Sequence, residues 1–251
     1  MGEDVHVSIS SEIGSMGLIE RENATILNAA LWKVAERFTE GFAQSLADEG
    51  ITNADVYLSQ NDGTLMTMEH ARRYPILTVA CGPTNSIRGA SYLSSLQNAI
   101  VIDVGGTTTD LGVIQNGFPR ESSVAVTIGG VRTNFRMPDV VSIGLGGGSI
   151  VLPEKLAGAA AVVKPDHFGC ANAIGSAISK VSGTFEKLIN YDEIPRDKAL
   201  EQAKAEAVDL AVAAGAIRET VEIIEVEDVP LAYYAGNTNR VKIKAAGDLA
   251  N

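Results

Sequence analysis

The segment Ala99–Ile114, with the sequence AIVIDVGGTTTDLGVI, constrains the fold more than any other part of the chain. It is typical of a buried strand, a glycine turn with hydroxyl side chains and a second strand. Glycines let the backbone approach a ligand closely, and the N–H groups of such a turn can face phosphate oxygens. One carboxylate precedes the turn and one follows it, Asp103 and Asp110. The pattern predicts a site for a polyphosphate and a divalent cation, with Asp103 as the metal ligand.

The predicted phosphate contacts come from this turn and from a second glycine cluster. In the turn they are Gly105, Gly106, Thr107, Thr108, Thr109 and Asp110, and in the cluster they are Gly146, Gly147, Gly148 and Ser149. Strand alternation puts Thr107 and Thr109 on one face and Thr108 on the other, so one phosphate meets all three only if the turn is irregular. Structural alternatives stay open, because Asp110 can brace the turn and the second cluster can serve close packing.

Composition narrows the class of protein. The 251 residues are enough for one large domain or two modest ones, and 45% hydrophobic residues with only 5% aromatics favour an α/β architecture. A formal net charge of −11 disfavours nucleic acid and anionic membranes as partners. No apolar run is long enough to span a bilayer, and no signal sequence is evident. The two cysteines, Cys81 and Cys170, have no metal-site spacing and indicate a reduced, cytoplasmic setting.

Periodicity predicts the remaining elements. Helices are expected at 20–49, from 83 or 84 to 93, at 169–190 and at 196–214, with a short helix or turn at 66–73. Strands are expected at 5–10, 54–59, 76–80, 122–128, 130–136, 221–226 and 240–245. Small residues recur every four positions along 169–190, which predicts close packing against the helix at 84–93. Residues 191–251 are interpreted as a helix-and-hairpin appendage on a mixed sheet built from the strands of 100–150.

Single residues offer little support for direct hydrolytic chemistry. The three histidines are isolated along the chain, and no Ser-His-Asp set or metal-hydrolase cluster is evident. Cys81 follows an apolar stretch and is interpreted as a buried structural thiol. Arg88 is expected to form a surface salt bridge rather than to bind an anion.

The order of these motifs resembles the second half of the actin, sugar-kinase and chaperone ATPase superfamily. Within it, the chain is similar to the hydantoinase/oxoprolinase family, of the hydantoinase A type. The similar segments are Ser8–Gly14, Glu20–Leu31, Gly82–Ser86 with Gly89 and Ala90, Asp103–Asp110, Ile143–Ile150, Ala203–Ala207 and Val229–Tyr233. The resemblance implies an α/β, ribonuclease-H-like half of an actin-like ATPase, with a mixed sheet and flanking helices. It also implies a remnant of the first half with a crossing helix at 1–95, and the second half with the appendage at 96–251.

The resemblance further implies ATP and Mg²⁺ as cofactors and a cyclic amide, a hydantoin or 5-oxoproline, as the substrate. The γ-phosphate would transfer to the ring carbonyl oxygen, and water would then open the ring. Family members carry an earlier phosphate turn that this sequence lacks, so we expect activity to need the missing half or a second hydantoinase/oxoprolinase subunit, in an oligomer. Two alternatives stay open: a non-catalytic nucleotide-binding or scaffold subunit, and a component of an ATP-dependent carboxylase.

Overall fold

The computed structural model describes residues 5–15, 17–122, 126–135, 137–147, 158–232 and 234–250. The chain forms two compact units: unit 1 is Met1–Gly63 with Thr67–Ile178, and unit 2 is Thr64–Met66 with Ser179–Asn251. These units are defined by packing, whereas the predicted boundary after residue 95 concerns ATPase halves and stays a prediction. The predicted α/β class is confirmed, since both units combine helices with sheets.

Unit 1 contains the helices α1 to α5. They are α1 (Ser10–Ile13), α2 (Ile19–Asp48), α3 (Met68–Arg73), α4 (Cys81–Ser94) and α5 (Ala171–Ala177). The predicted helices at 20–49 and 84–93 are thereby confirmed. α2 packs through Ala24 into a core cluster that also contains Ile13, Tyr74, Ile76 and Phe135. In the described residues, no helix combines the length and the apolar character needed to cross a bilayer.

Two strands predicted in unit 1 are wrong. Residues 5–9 form no strand, Val5 and Val7 are exposed, and Ser10 already begins α1. Residues 76–80 do not form a strand, because Pro75–Thr78 is a 3₁₀ helix. Proline suits the first position of such a turn, and the fully buried Asn28 of α2 accepts a hydrogen bond from the Ile76 backbone N–H at 3.2 Å.

The strands of unit 1 are β1 (Tyr57–Ser59), β3 (Ala99–Val104), β4 (Thr109–Gln115), β5 (Phe118–Pro119), β6 (Val126–Ile128), β7 (Val131–Thr133) and β8 (Val140–Ile143), and β2 (Thr64–Thr67) begins in unit 2. The four strands β3, β4, β5 and β8 form an antiparallel sheet, β6 and β7 form a separate hairpin, and β1 belongs to neither. β3, β5 and β8 each pair antiparallel with β4, and β6 pairs antiparallel with β7. The mixed sheet predicted for residues 100–150 is therefore wrong, because the sheet there is antiparallel. α4 packs on one face of the antiparallel sheet, where Ile87 fills the space beside Gly112.

The predicted helix at 169–190 is wrong beyond Ala177. The α-helix is α5 alone, and Lys180–Asn190 is a strand, β9, whose residues 181–190 pair with a later strand. The predicted packing between α5 and α4 is confirmed. The Cα of Gly175 lies against the Asn85 carbonyl, and the Cα of Gly89 lies against the Ala171 carbonyl. A Cβ at either glycine would overlap these oxygens, so the two helix backbones touch directly.

Unit 2 contains the mixed sheet. Its strands follow the order β2, β9, β11 (Thr238–Gly247) and β10 (Glu222–Pro230), with β2 and β9 parallel and the other neighbours antiparallel. Helix α6 (Arg196–Ala213) packs on β9 and β11. Its buried stripe consists of alanines at every fourth position, Ala199, Ala203, Ala207 and Ala211. The predicted helix at 196–214 and strands at 221–226 and 240–245 are confirmed, although β9 makes them part of a larger sheet.

Candidate functional site

The turn between β3 and β4 is closed by one backbone hydrogen bond and is open to solvent. The Gly105 N–H donates to the Thr108 carbonyl at 2.8 Å, and residues 104–108 are all exposed. Asp103 and Asp110 are directly opposite each other in the β3–β4 register, so both side chains lie on the same face of the sheet. The turn thus presents backbone amides, two hydroxyls and a nearby carboxylate pair to the solvent.

The second glycine loop lies directly on this turn. The Gly147 N–H donates to the Gly105 carbonyl at 3.2 Å. A Cβ at Gly146 would lie 2.6 Å from the Gly105 oxygen and 2.9 Å from the carbonyl carbons of Gly106 and Thr107. Gly147 has a φ of +70°, a conformation that favours glycine. The structure therefore brings the two predicted loops together, while the predicted contacts Gly148 and Ser149 lie outside the described residues.

The side chains of Thr109 and Asp110 both contact the segment that leads from β8 into the second glycine loop. The Thr109 side chain is 1% exposed, and its hydroxyl donates to the Leu145 carbonyl at 2.6 Å. The Ser142 hydroxyl donates to Asp110 Oδ1 and so ties β8 to β4. The bracing role that the sequence left open for Asp110 matches this contact. The nucleotide contacts predicted for Thr109 and Asp110 stay predictions, and their observed contacts position the second loop on the turn.

Asp103 and Asp110 are suited to Mg²⁺ that keeps much of its own hydration. Carboxylate oxygens are hard ligands, and Mg²⁺ is held by one or two of them together with water and phosphate oxygens. In the part of the chain that the structure describes, no group of three or more His, Cys, Asp or Glu side chains converges. Asp103 is half-buried at the base of the turn, and the metal-binding role predicted for it stays a prediction.

Arg88 was predicted to form a salt bridge on the surface, but the structure places it in the interior. Its side chain is only 7% exposed, and it lies within α4 over the Phe118 ring, 4.8 Å from the ring centre. Nη2 donates to the carbonyl of Ile178, the residue that ends α5, at 3.4 Å. Burial lowers the pKa of Arg88, and the nearby Asp62 charge opposes that shift. The sequence did contain a signal for this burial. Arg88 lies among small residues of α4, and such residues are typical of a helix that packs closely on more than one side.

Cys81, His6 and His70 lie outside the paired loops. Burial raises the pKa of Cys81, which is half-buried at the start of α4, as expected for a structural thiol. His6 stacks on Trp32, and burial lowers the pKa of His70 beside Tyr74. A shallow pocket between α2 and α3 contains none of the predicted site residues. None of these groups adds a catalytic side chain to the paired loops.

A polar cluster in unit 2 connects Asp228 of β10 with β11, with Tyr191 and with the start of α6. Asp228 of β10 accepts hydrogen bonds from Asn239 at 2.6 Å, Tyr191 at 2.9 Å and Arg196 at 2.7 Å. Burial alone would raise the pKa of Asp228, but these three bonds outweigh it and lower the pKa below the usual value. The cluster is therefore structural.

The chain belongs to the hydantoinase/oxoprolinase family. The family model Hydantoinase_A, described as hydantoinase/oxoprolinase, matches residues 21–183. A comparison with curated proteins gave no match.

Two solved structures share the fold. One is an ATP-dependent caprolactamase from Pseudomonas jessenii, at 11% identity and a TM-score of 0.69, where the alignment covers 99% of this chain and 61% of the other. The second is a nucleotide-free acetone carboxylase, from work on ATP-dependent acetone carboxylation, at 12% identity and a TM-score of 0.59, with 96% and 59% covered. The chain thus spans about three-fifths of the length of either relative.

Proposed function

We propose that this chain binds Mg·ATP at the paired glycine loops and takes part in the ATP-dependent opening of a cyclic amide of the hydantoin or 5-oxoproline type. The observation that carries the proposal is the contact of two glycine loops, both predicted as phosphate contacts, beside a carboxylate pair at an exposed turn. The family and the two ATP-dependent relatives support the same chemistry. Because the chain spans about three-fifths of those relatives, the proposal includes a further protein part that completes the site.

The chain's own residues bind and orient the phosphates. The N–H groups of Gly106 and Thr107 lie at the exposed tip of the turn, where they can donate to phosphate oxygens, and the hydroxyls of Thr107 and Thr108 add donors. Asp103 would hold the Mg²⁺ that neutralises the phosphate charge. Bound ATP would supply a phosphoryl group to the ring carbonyl oxygen and leave as ADP, and attack of water on the activated ring carbon would then open the ring and release inorganic phosphate. Catalysis by this chain then consists of positioning and charge neutralisation.

Isothermal titration calorimetry with Mg·ATP tests the site directly. We expect weak but measurable binding to the wild-type chain, and at least a tenfold loss of affinity, about 1.4 kcal/mol, in Asp103→Ala. The matched control is Asp55→Ala, which removes an exposed carboxylate of unit 1 outside the loops and should leave the heat unchanged. Thermal unfolding of each variant checks that the fold persists. Equal heats for wild type and Asp103→Ala would remove residues 103–110 as the nucleotide site.

The acetone carboxylase relative favours a second candidate function, in which the phosphorylated group is carboxylated instead of hydrolysed. ATP hydrolysis that depends on bicarbonate, measured with a ketone or amide substrate, would separate this reaction from ring opening. A non-catalytic nucleotide-binding subunit is the third candidate, and it is favoured by the partial coverage of both relatives. Binding of Mg·ATP without turnover, even in the complete assembly, would identify it.

A further inference from the structure

The sequence contains one Asn-Gly pair, Asn116 and Gly117, and the structure places it at the tip of a tight hairpin. The pair forms the two-residue loop between β4 and β5, because Gln115 and Phe118 on either side of it are direct partners. Both loop residues have a positive φ, +53° at Asn116 and +80° at Gly117, which is the pattern of a type I′ turn. Asparagine and glycine are the residues that adopt this conformation most readily, so the turn accounts for the pair.

The same pair is chemically labile in an unfolded chain, because glycine has no side chain to shield its backbone nitrogen. In deamidation the Gly117 nitrogen attacks Cγ of Asn116 and forms a new N–C bond. The bond from Cγ to Nδ2 breaks, and Nδ2 leaves as ammonia with the proton of the Gly117 N–H. Water then opens the five-membered succinimide ring at either carbonyl, which gives aspartate or isoaspartate. Water is the only co-reactant, so the reaction depends on how readily the ring can close.

Two hydrogen bonds hold the loop in a form that disfavours ring closure. The Gly117 N–H donates to the Gln97 carbonyl at 2.9 Å, and the Asn116 N–H donates to Asn98 Oδ1 at 3.2 Å. The attacking nitrogen is therefore engaged in the folded chain. Ring closure also requires rotation about the Asn116 Cα–C bond, which the pairing of β4 with β5 opposes. Asn116 is exposed to water, so the obstacle is the fixed backbone and not burial.

We propose that Asn116 is a deamidation site that the folded hairpin protects, and that it reacts when β5 separates from β4. Local opening precedes global unfolding in small peripheral elements, and β5 consists of two residues. Isoaspartate adds one methylene to the backbone of the two-residue loop, so Gln115 and Phe118 can no longer pair in the same register. Arg88 lies over the Phe118 ring, so the modification disturbs the surroundings of a buried cation. The proposal does not depend on nucleotide binding.

Peptide mass spectrometry after incubation at mildly alkaline pH tests the protection without any variant. The wild-type chain is incubated in its folded state and in guanidinium chloride, and the modified peptide is quantified over time. We expect deamidation at Asn116 to be at least about tenfold slower in the folded chain, since only the fraction with an open hairpin reacts. Equal rates in the two states overturn the proposal. Asn116→Gln should remove the product in guanidinium chloride, and a product that persists would overturn the assignment to this residue.

The substitution Asn98→Ala tests the bond that fixes the loop. It removes the acceptor of the Asn116 N–H, so we expect at least about a threefold faster reaction in the folded chain and no change in guanidinium chloride. The matched control is Asn53→Ala, which removes an exposed asparagine outside the hairpin and should change neither rate. Circular dichroism confirms the fold of both variants. An Asn98→Ala rate equal to that of the wild type overturns the protective role of this bond.

Urea unfolding of the purified isoaspartate form tests the structural consequence. The longer backbone displaces Phe118, so the unfolding midpoint should fall below that of the unmodified chain. A midpoint equal to that of the unmodified chain would mean that the hairpin accepts the extra methylene, and would contradict the expected loss of register.

Discussion

At the scale of single residues, Thr109 shows how a motif residue can support a site without touching a ligand. Its hydroxyl is buried and donates to the Leu145 carbonyl, which ties the second glycine loop to the turn. Its neighbour Thr108 belongs to the same Thr-Thr-Thr run but is exposed. Burial and hydrogen bonding therefore divide one sequence motif into a residue that positions the loops and residues that can meet phosphate.

The substitution Thr109→Val tests that division. It keeps the shape of the side chain and removes the donor, which leaves a carbonyl unpaired, so we expect a loss of about 1–2 kcal/mol in the free energy of unfolding. Thr108→Val, at an exposed position of the same turn, should change it by less than about 0.5 kcal/mol. Urea unfolding of both variants measures the difference. If Thr109→Val unfolds like the wild type, the bond to Leu145 does not stabilise the loop pair.

At the scale of elements, the close crossing of α4 and α5 depends on two glycines. Gly89 lies against the Ala171 carbonyl and Gly175 against the Asn85 carbonyl, with no room for a methyl group. Gly89→Ala and Gly175→Ala should each cost more than about 2 kcal/mol, although alanine is the better helix former. Gly41→Ala in α2 is the matched control, since nothing lies within 4 Å of its added Cβ. There we expect a gain of about 0.5–1 kcal/mol.

Thermal and urea unfolding of the three variants measure these opposite signs. A neutral Gly89→Ala or Gly175→Ala would mean that the helices separate without cost, which contradicts a fixed crossing. A destabilised Gly41→Ala would mean that α2 is not helical around that position. The comparison isolates contact between backbones from helix propensity, because all three substitutions are the same chemical change.

Sequence periodicity predicted the long elements well and failed where a distant partner decides the conformation. α2, α4 and α6 follow from helical patterns that each element carries by itself. The small residues spaced by four from 171 to 183 do not belong to one helix. Gly175 of α5 packs on α4, whereas Gly183 lies in strand β9 and packs on α6. Pairing with β11 makes residues 180–190 a strand, and that pairing is not visible in the local sequence.

The candidate site shows the same limit. The residue types of the turn and of the second glycine cluster were enough to predict a phosphate site, but their contact through Gly105 and Gly147 joins residues 42 positions apart. The burial of Thr109 depends on Leu145 for the same reason. The surface position predicted for Arg88 was wrong, because a charged residue in a helix is usually exposed, whereas this helix has neighbours on more than one side.

At the scale of the whole molecule, the chain spans about three-fifths of the two relatives that share its fold. Transfer of a phosphoryl group requires donors and metal around the whole transferring group, in a site from which water is excluded. The paired loops present their donors from one side and are open to solvent. We therefore expect this chain to bind Mg·ATP without turning it over.

A phosphate-release assay checks that expectation, with Mg·ATP and the cyclic amides 5-oxoproline, hydantoin and caprolactam, and separately with bicarbonate and a ketone. Release by the wild-type chain should not exceed release by Asp103→Ala under any of these conditions. Substrate-stimulated release that Asp103→Ala abolishes would show that the chain contains a complete catalytic site, and would contradict the need for a further part. Calorimetry measures binding separately from hydrolysis. The two experiments together therefore distinguish a chain that does not bind ATP from one that binds ATP but needs a further protein part to hydrolyse it.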